Sequence, residues 1–400
     1  MTRSTIHAKI EDLLLAAGWS VQAHTGADLK KSLGIAIRDF PLARGYGKID
    51  YLLYLEGKAA GLIEIDTKEK TLPGIPLDLP KYSRGLPFTL RRYIHPLPFL
   101  YQSRGTKSCF TNAFDPVPKV RQLSGFHRPE TLRTWLEDGM IGETPRDMAA
   151  EHFPEYRRRG RSFQERMMIN LPELERDGLS TEQHKAISNL EISLGKNHPR
   201  AFVEMGTDAD RRRVLMHLIE RLIKFAGARR VLVLVHSADI GHRLAQAIKS
   251  HIAPKGESSF TQAFPLQHLT ETLDPEARLC ITTLPRLYSL LSTRQPPEKE
   301  KDAIDALSAS PLQYNPAFPI ESFEVIILES PDASLRPCFH AVLNYFDAYL
   351  IALMEKANDA AADFFNQNSV MHDETVESRP SDGLNVIASN TSINSSEKIK

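Results

Sequence analysis

Cysteine is scarce in this sequence of 400 residues. Cys109, Cys280 and Cys338 are too far apart for a metal motif or a disulfide framework, which fits a reducing cytoplasm. No apolar run reaches about 18 residues, and the start, MTRSTIHAKIEDLL, has amphipathic helical spacing in place of a signal peptide's apolar block. A cytoplasmic chain without a membrane span is expected. Excess charge of one sign is also missing, since 50 basic residues face 50 acidic ones. Any nucleic-acid binding must therefore come from local patches. The most telling shortage is of glycine within AFVEMGTDADRRRVL, residues 201 to 215. This segment lies between an apolar strand and an amphipathic helix, where a phosphate-binding loop belongs. Such a loop needs glycines for close backbone approach, a lysine for the outer phosphates and a Ser/Thr hydroxyl for magnesium. Here Asp208 and Asp210 occupy the glycine positions and Arg211 and Arg212 follow. Two carboxylates repel a triphosphate, and their Cβ atoms obstruct it.

What is present is an α/β chain of two or three domains, on a prior of about 150 residues each. Periodicity predicts a helix over 6–17, strands over 33–40, 49–55 and 61–66, and a loop-rich stretch over 72–126 with short strands FLYQS and SCFTN. A helix starts from HRPETLRTWLED with proline in its first turn. Residues 1–150 read as one domain and 151–180, containing YRRRGRSFQERMM, as a basic connector. Residues 181–367 alternate helices with apolar strands (RAFVEM, VLVLV, LCITT, FEVII, YLIALM), the pattern of a parallel sheet covered on both faces. Residues 368–400 are polar and are expected to form a disordered tail.

These segments, in this order, resemble the N-terminal part of the endonuclease and motor (R) subunit of type I restriction enzymes. The resemblance is carried by AGWSVQ, IRDFPLARGYGKIDYLLYLEGKAAGLIEI, YSRGLPF, GFHRPETLRTWL, RLIKFAGARRVLVLV, LCITTLPRLYSLL, YNPAFPIESFEVII, LNYFDAYLIAL and FFNQNSVM. It implies a PD-(D/E)xK nuclease-like domain over 1–150 and one RecA-like (helicase superfamily 2) lobe over 181–367. It also implies DNA as a partner, with the modification and specificity subunits of a type I complex, and Mg2+ and ATP as the family's cofactors.

The resemblance places Asp50 and Glu64 at the nuclease carboxylates, while Asp66 stands at the family's lysine position. Carboxylates there gather magnesium, and the lysine offsets charge on the attacked phosphate. Strand alternation would let Glu64, Asp66 and Lys68 share a face, so Asp50, Glu64 and Asp66 are candidate metal ligands and Lys68 a substitute lysine. Tyr82 matches a family tyrosine, but Asp78 replaces the glutamine four residues before it. A plain solvated strand end is the alternative reading of EIDTKEK.

In the lobe, Gln183 matches the glutamine aimed at adenine, and Arg211 retains charge without lysine's compact ammonium. The family's Asp-Glu-x-His becomes Leu328-Glu329-Ser330-Pro331, and Thr-Ala-Thr-Pro becomes Met354-Glu355-Lys356-Ala357. Losses at three separate motifs imply a nucleotide site (Gln183, Arg211, Glu329) that no longer binds ATP, within a retained scaffold. Arg84, Arg91 and Arg92, beyond the carboxylate strand, and Arg157, Arg158 and Arg159 in the connector are candidate phosphate contacts. A solvated helix with Arg–Glu pairs accounts equally for the connector. The expected role is DNA binding or docking into a restriction complex as a pseudoenzyme. A metal-dependent endonuclease using Asp50, Glu64 and Lys68, and a non-catalytic decoy or remnant, are the alternatives.

Overall fold

A computed structural model of the chain describes residues 2–66, 82, 84–140, 162–176, 178–250, 264–292, 312–329, 337–366 and 368–371. Helix α1 (Arg3–Ala16) precedes a seven-stranded sheet of β1 (Ser20–Ala23), β2 (Gly34–Pro41), β3 (Lys48–Leu55), β4 (Lys58–Ile65), β5 (Phe99–Ser103), β6 (Ser108–Asn112) and β7 (Arg121–Leu123), which lie side by side in chain order. The sheet is mixed: β1 with β2 and β4 with β5 run parallel, and the other neighbours run antiparallel. Glu56 and Gly57 both have positive φ, the backbone that a two-residue turn needs to match strand twist. That turn joins β3 to β4.

Strand β3 is buried along nearly its whole length because the sheet is covered on both faces. Tyr51, Leu53 and Leu55 share a cluster with Ile6, Ile10 and Leu14 of α1, whereas Leu52 and Tyr54 cluster with Tyr82 and Leu86. Gly61 is required where β4 meets β5, since a Cβ would lie 2.5 Å from the Phe99 carbonyl oxygen. Helix α2 (Pro129–Met140) closes this half.

The second half is a parallel sheet of β8 (Arg200–Glu204), β9 (Val231–Val235), β10 (Leu266–His268), β11 (Leu279–Thr283), β12 (Val325–Glu329), β13 (Tyr349–Met354) and β14 (Ser369–Met371), in the spatial order β10-β11-β9-β12-β13-β8-β14. Its helices are α4 (Thr181–Gly195), α5 (Asp208–Glu220), α6 (Ala238–Ser250), α7 (Leu284–Leu291), α8 (Pro337–Leu343) and α9 (Asp359–Phe364), with α3 (Phe163–Asn170) ahead of them. Strands β9, β11, β12 and β13 are buried at every position, as uninterrupted apolar runs in a doubly covered sheet require. Side chains alternate between two cores, with Leu232, Leu234, Ile326 and Leu328 in one and Val231, Val233, Val325 and Ile327 in the other.

Several boundaries differ from those read in the sequence. The helix after β8 ends its α-helical part at Glu220 and continues as a π-turn over Arg221–Phe225. The connector contains α3, which is capped by Ser162 and buries Phe163, Gln164, Arg166 and Met167. The start of the polar tail forms β14, because Val370 and Met371 pack on the lobe core beside β8. Residues 372–400 and residues 151–161 of the connector, with Arg157, Arg158 and Arg159, lie outside the described residues.

The two halves share one hydrophobic cluster. Ile10, Tyr101, Phe126 and Leu136 of the first half belong to the same cluster as Phe318, Ile320 and Phe346 of the second. Ionic contacts reinforce the seam. His127 is fully buried, with Nδ1 2.7 Å from the Tyr101 hydroxyl and Nε2 2.9 Å from Asp347 Oδ2. Arg128 and Thr131 both donate to Glu321 Oε1, and Arg229 pairs with Asp138. Within the second half, Arg166 of α3 forks onto both oxygens of Glu324, at 2.9 and 3.1 Å.

Candidate functional site

Two places gather the charged residues picked out by the sequence. The first is the end of the mixed sheet where β3 begins and β4 finishes. The antiparallel register that sets Tyr51 opposite Ile63 brings Asp50 level with Glu64. Asp50 is buried, and its Oδ2 accepts a 2.8 Å hydrogen bond from the Ile65 N–H while Oδ1 pairs with Arg3 of α1. Asp66, just past the strand, accepts from Arg104 Nε and Nη2 at 3.0 and 2.6 Å on the β5–β6 turn. Each of these carboxylates therefore has its own guanidinium.

Among the described residues, the group bringing three potential metal ligands within 4.8 Å of one another is His7, Asp39 and Asp50. Glu64 and Asp66 are not in it, and Lys68 lies outside the described residues, as does Asp78. His7 and Asp39 had no signal in the sequence. His7 is one residue on the turn of α1 that faces β3, where its Nδ1 lies 2.7 Å from the Tyr51 hydroxyl. Asp39 has φ 55° near the end of β2 and pairs with Lys48. That pairing holds the Asp39 carboxyl below its usual range, against a smaller opposing effect of burial.

The arginines after the carboxylate strand separate. The Gly85 carbonyl accepts from Ala43 N–H, on the turn between β2 and β3, so exposed Arg84 sits at the carboxylate end. Arg91 and Arg92 do not. The Arg91 carbonyl accepts from Ala59 N–H and Arg92 bridges Ala59, at the opposite end of β4, about 17 Å from Glu64 at strand rise.

The second place is the loop between β8 and α5. Thr207 caps α5 by accepting from the Asp210 N–H, so Asp208 and Asp210 occupy its first turn. A helix N-terminus favours negative charge and often takes it from a bound phosphate. Here the chain supplies that charge itself. Asp210 Oδ2 accepts from the Thr207 hydroxyl at 2.5 Å, and Oδ1 accepts from Gln183 Nε2 at 2.6 Å. The amide oxygen of Gln183 accepts from the Ser180 N–H, completing a capping box at the start of α4. Arg211 turns inward and is buried, donating to the Met205 carbonyl and pairing with Asp208.

Across the loop stands Glu329, at the end of β12. It is buried, Arg212 Nε approaches Oε1 only to 3.8 Å, and Oε2 has no hydrogen-bond partner among the described residues. Burial pushes its carboxyl above the usual range, Asp208 adds to the rise, and Arg212 opposes it. Leu328, at the family's magnesium-carboxylate position, points into the core.

Residues 177–351 match the family model described as type III restriction enzyme, res subunit. A solved fragment described as an HsdR subunit of a type I restriction enzyme from Vibrio vulnificus YJ016 aligns with 93% of this chain at 14% identity and a TM-score of 0.29. The chain spans 59% of that fragment. No curated protein matches. The family-model match marks residues 177–351 as similar to a restriction-enzyme res subunit. No described helix is long and apolar enough to cross a membrane.

Proposed function

We propose that this R-subunit-like chain binds DNA, or docks into a type I restriction complex, without ATP-driven translocation. In this reading its first half is a PD-(D/E)xK nuclease-like domain and its second a RecA-like lobe serving as a scaffold. The observation that carries it is the loop before α5. Asp208 and Asp210 fill the helix N-terminus that would receive phosphates, and the Gln183 amide is engaged by Asp210. A nucleotide does not fit there. Its phosphates would meet two carboxylates and a buried glutamate, and the Arg211 guanidinium is spent on Met205 and Asp208. Modification and specificity subunits are the proposed partners, and Arg84 is the phosphate contact best placed beside the carboxylates.

Calorimetric titration with Mg-ATP tests the central claim. No saturable heat is expected up to millimolar nucleotide. A dissociation constant in the low micromolar range, about −8 kcal/mol, would overturn it. For DNA, anisotropy of a labelled duplex should give an affinity that falls with salt and weakens in Arg84→Ala.

A metal-dependent endonuclease is the second reading, favoured by the cluster of His7, Asp39 and Asp50 beside Glu64. One imidazole and two carboxylates suit a divalent ion such as Mn2+ or Mg2+. The ion would supply a polarised water, held by Asp50 with its neighbours. Arg3 occupies one Asp50 oxygen, so the residues fit an ion only with that guanidinium withdrawn. Metal-dependent nicking of supercoiled plasmid that is lost in Asp50→Ala would establish this reading. Nicking unchanged by Lys68→Ala would remove Lys68 from it.

A further inference from the structure

Seven large apolar side chains are exposed among the described residues, and five of them, Val117, Val120, Met168, Ile169 and Ile192, come together around one seam. Met168 and Ile169 lie on the outer side of α3, whose other face buries Phe163, Gln164, Arg166 and Met167. Ile192 lies on α4 one turn before Gly195, and so on the same side of the helix. The Met168 side chain reaches 3.6 Å from the position of a Cβ on Gly195. Backbone ties bring the segment carrying Val117 and Val120 against both helices. The Val117 N–H donates to Gln164 Oε1, its carbonyl accepts from Asn197 Nδ2, and Gln164 Nε2 donates to the Gly195 carbonyl. Three stretches far apart in sequence thus form one apolar surface, with Met168 60% exposed and Ile192 54%.

One edge of this surface is basic. Lys119 Nζ donates to the Lys196 carbonyl at 2.9 Å, placing two lysines at one edge beside His198. Both lysines, after the larger effect of burial, press the His198 imidazole below its ordinary range. Glu165 is the acidic side chain on the outer side of α3. Clustered exposed apolar side chains of this kind mark protein-binding surfaces on soluble proteins.

We propose that this surface docks a partner protein presenting an apolar segment flanked by carboxylates. Charge selects this occupant over the chain's own connector. That connector carries Arg157, Arg158 and Arg159, which the lysine edge would repel. The surface lies away from both the carboxylate end and the α5 loop, so occupying it leaves those places open.

The test uses the full chain and two labelled 16-residue amphipathic peptides with the same leucine face, flanked by glutamates in one and by lysines in the other. The glutamate peptide should bind at least tenfold tighter by anisotropy. Met168→Lys with Ile192→Lys should abolish its binding while leaving the circular dichroism spectrum unchanged. Lys119→Glu with Lys196→Glu should reverse the peptide preference. The proposal fails if the glutamate peptide does not bind, if both peptides bind equally, or if binding survives the apolar substitutions. It also fails if the chain dimerises at micromolar concentration and Met168→Lys with Ile192→Lys makes it monomeric, because a second copy is then the occupant.

Discussion

The two charged places handle surplus carboxylates in different ways. At the end of the mixed sheet, Asp50 and Asp66 are neutralised from a distance in sequence, by Arg3 and Arg104, whose side chains remain 52% and 33% exposed. At the α5 loop the neutralising groups are local and turned inward. Arg211 meets Asp208 three residues away with 5% of its side chain exposed, and Asp210 is tied to Thr207. A contact made by a long, partly exposed arginine can be withdrawn without disturbing the fold. A contact that also caps a helix and satisfies a buried carbonyl cannot. The sheet end is thus closed reversibly and the loop is closed by its own architecture.

Arg211→Ala should give the largest effect of the variants that test this contrast. It strips the buried Met205 carbonyl of its donor and should cost about 2 kcal/mol in urea unfolding, on the scale of an unsatisfied buried polar group. A cost as small as that of Arg3→Ala would erase the contrast. Asp50→Ala removes the acceptor for the Ile65 N–H and should cost about 1 to 2 kcal/mol.

Glu329→Gln should act in the opposite direction at neutral pH. The folded-state carboxyl titrates above its unfolded value, so the charged form is a penalty in the folded chain at high pH. That penalty is relieved as pH falls through the raised value and is absent below about pH 4.5, where both states are protonated. The variant should therefore be more stable than the parent at pH 7 and equal to it at pH 4. A destabilised variant at pH 7 would show that Glu329 is well partnered after all.

Arg3→Ala should have the smallest effect on stability, about 1 kcal/mol, since the arginine is half-exposed and the buried Asp50 keeps its bond from the Ile65 N–H. Its informative readout is metal. With Arg3 gone, Mn2+ should raise the melting temperature through selective binding to the native state, and should do so less in the parent. Equal shifts in the two proteins would mean that Arg3 does not guard Asp50.

Much of the architecture was legible in the sequence because long apolar strands and amphipathic helices carry their own period. VLVLV and FEVII declared a buried parallel sheet, and the strands read over 33–40, 49–55 and 61–66 lie within three residues of β2, β3 and β4. The short edge strands β10 and β14 were not legible, since three residues such as Leu266–His268 have no period to detect. At the α5 loop the sequence revealed which residues were out of place, but the engagement of Gln183 by Asp210 spans 27 positions and needed the fold. The same applies at the sheet end. Asp50 and Glu64 were found by motif, whereas His7 joins Asp50 across 43 positions only because α1 packs on β3. Arg91 and Arg92 were misplaced for the same reason, because sequence distance from Glu64 says nothing about which end of β4 the chain returns to.

The hydrophobic cluster that runs from Ile10 through Phe126 to Phe346 makes the two halves one thermodynamic unit. Neither half can melt without exposing the other's apolar surface, so calorimetry should record a single unfolding transition in place of two. A ligand bound to either half then protects both. Damage behaves in the same way. A cavity opened under Phe126 in the first half would lower the temperature at which the parallel sheet of the second half is lost.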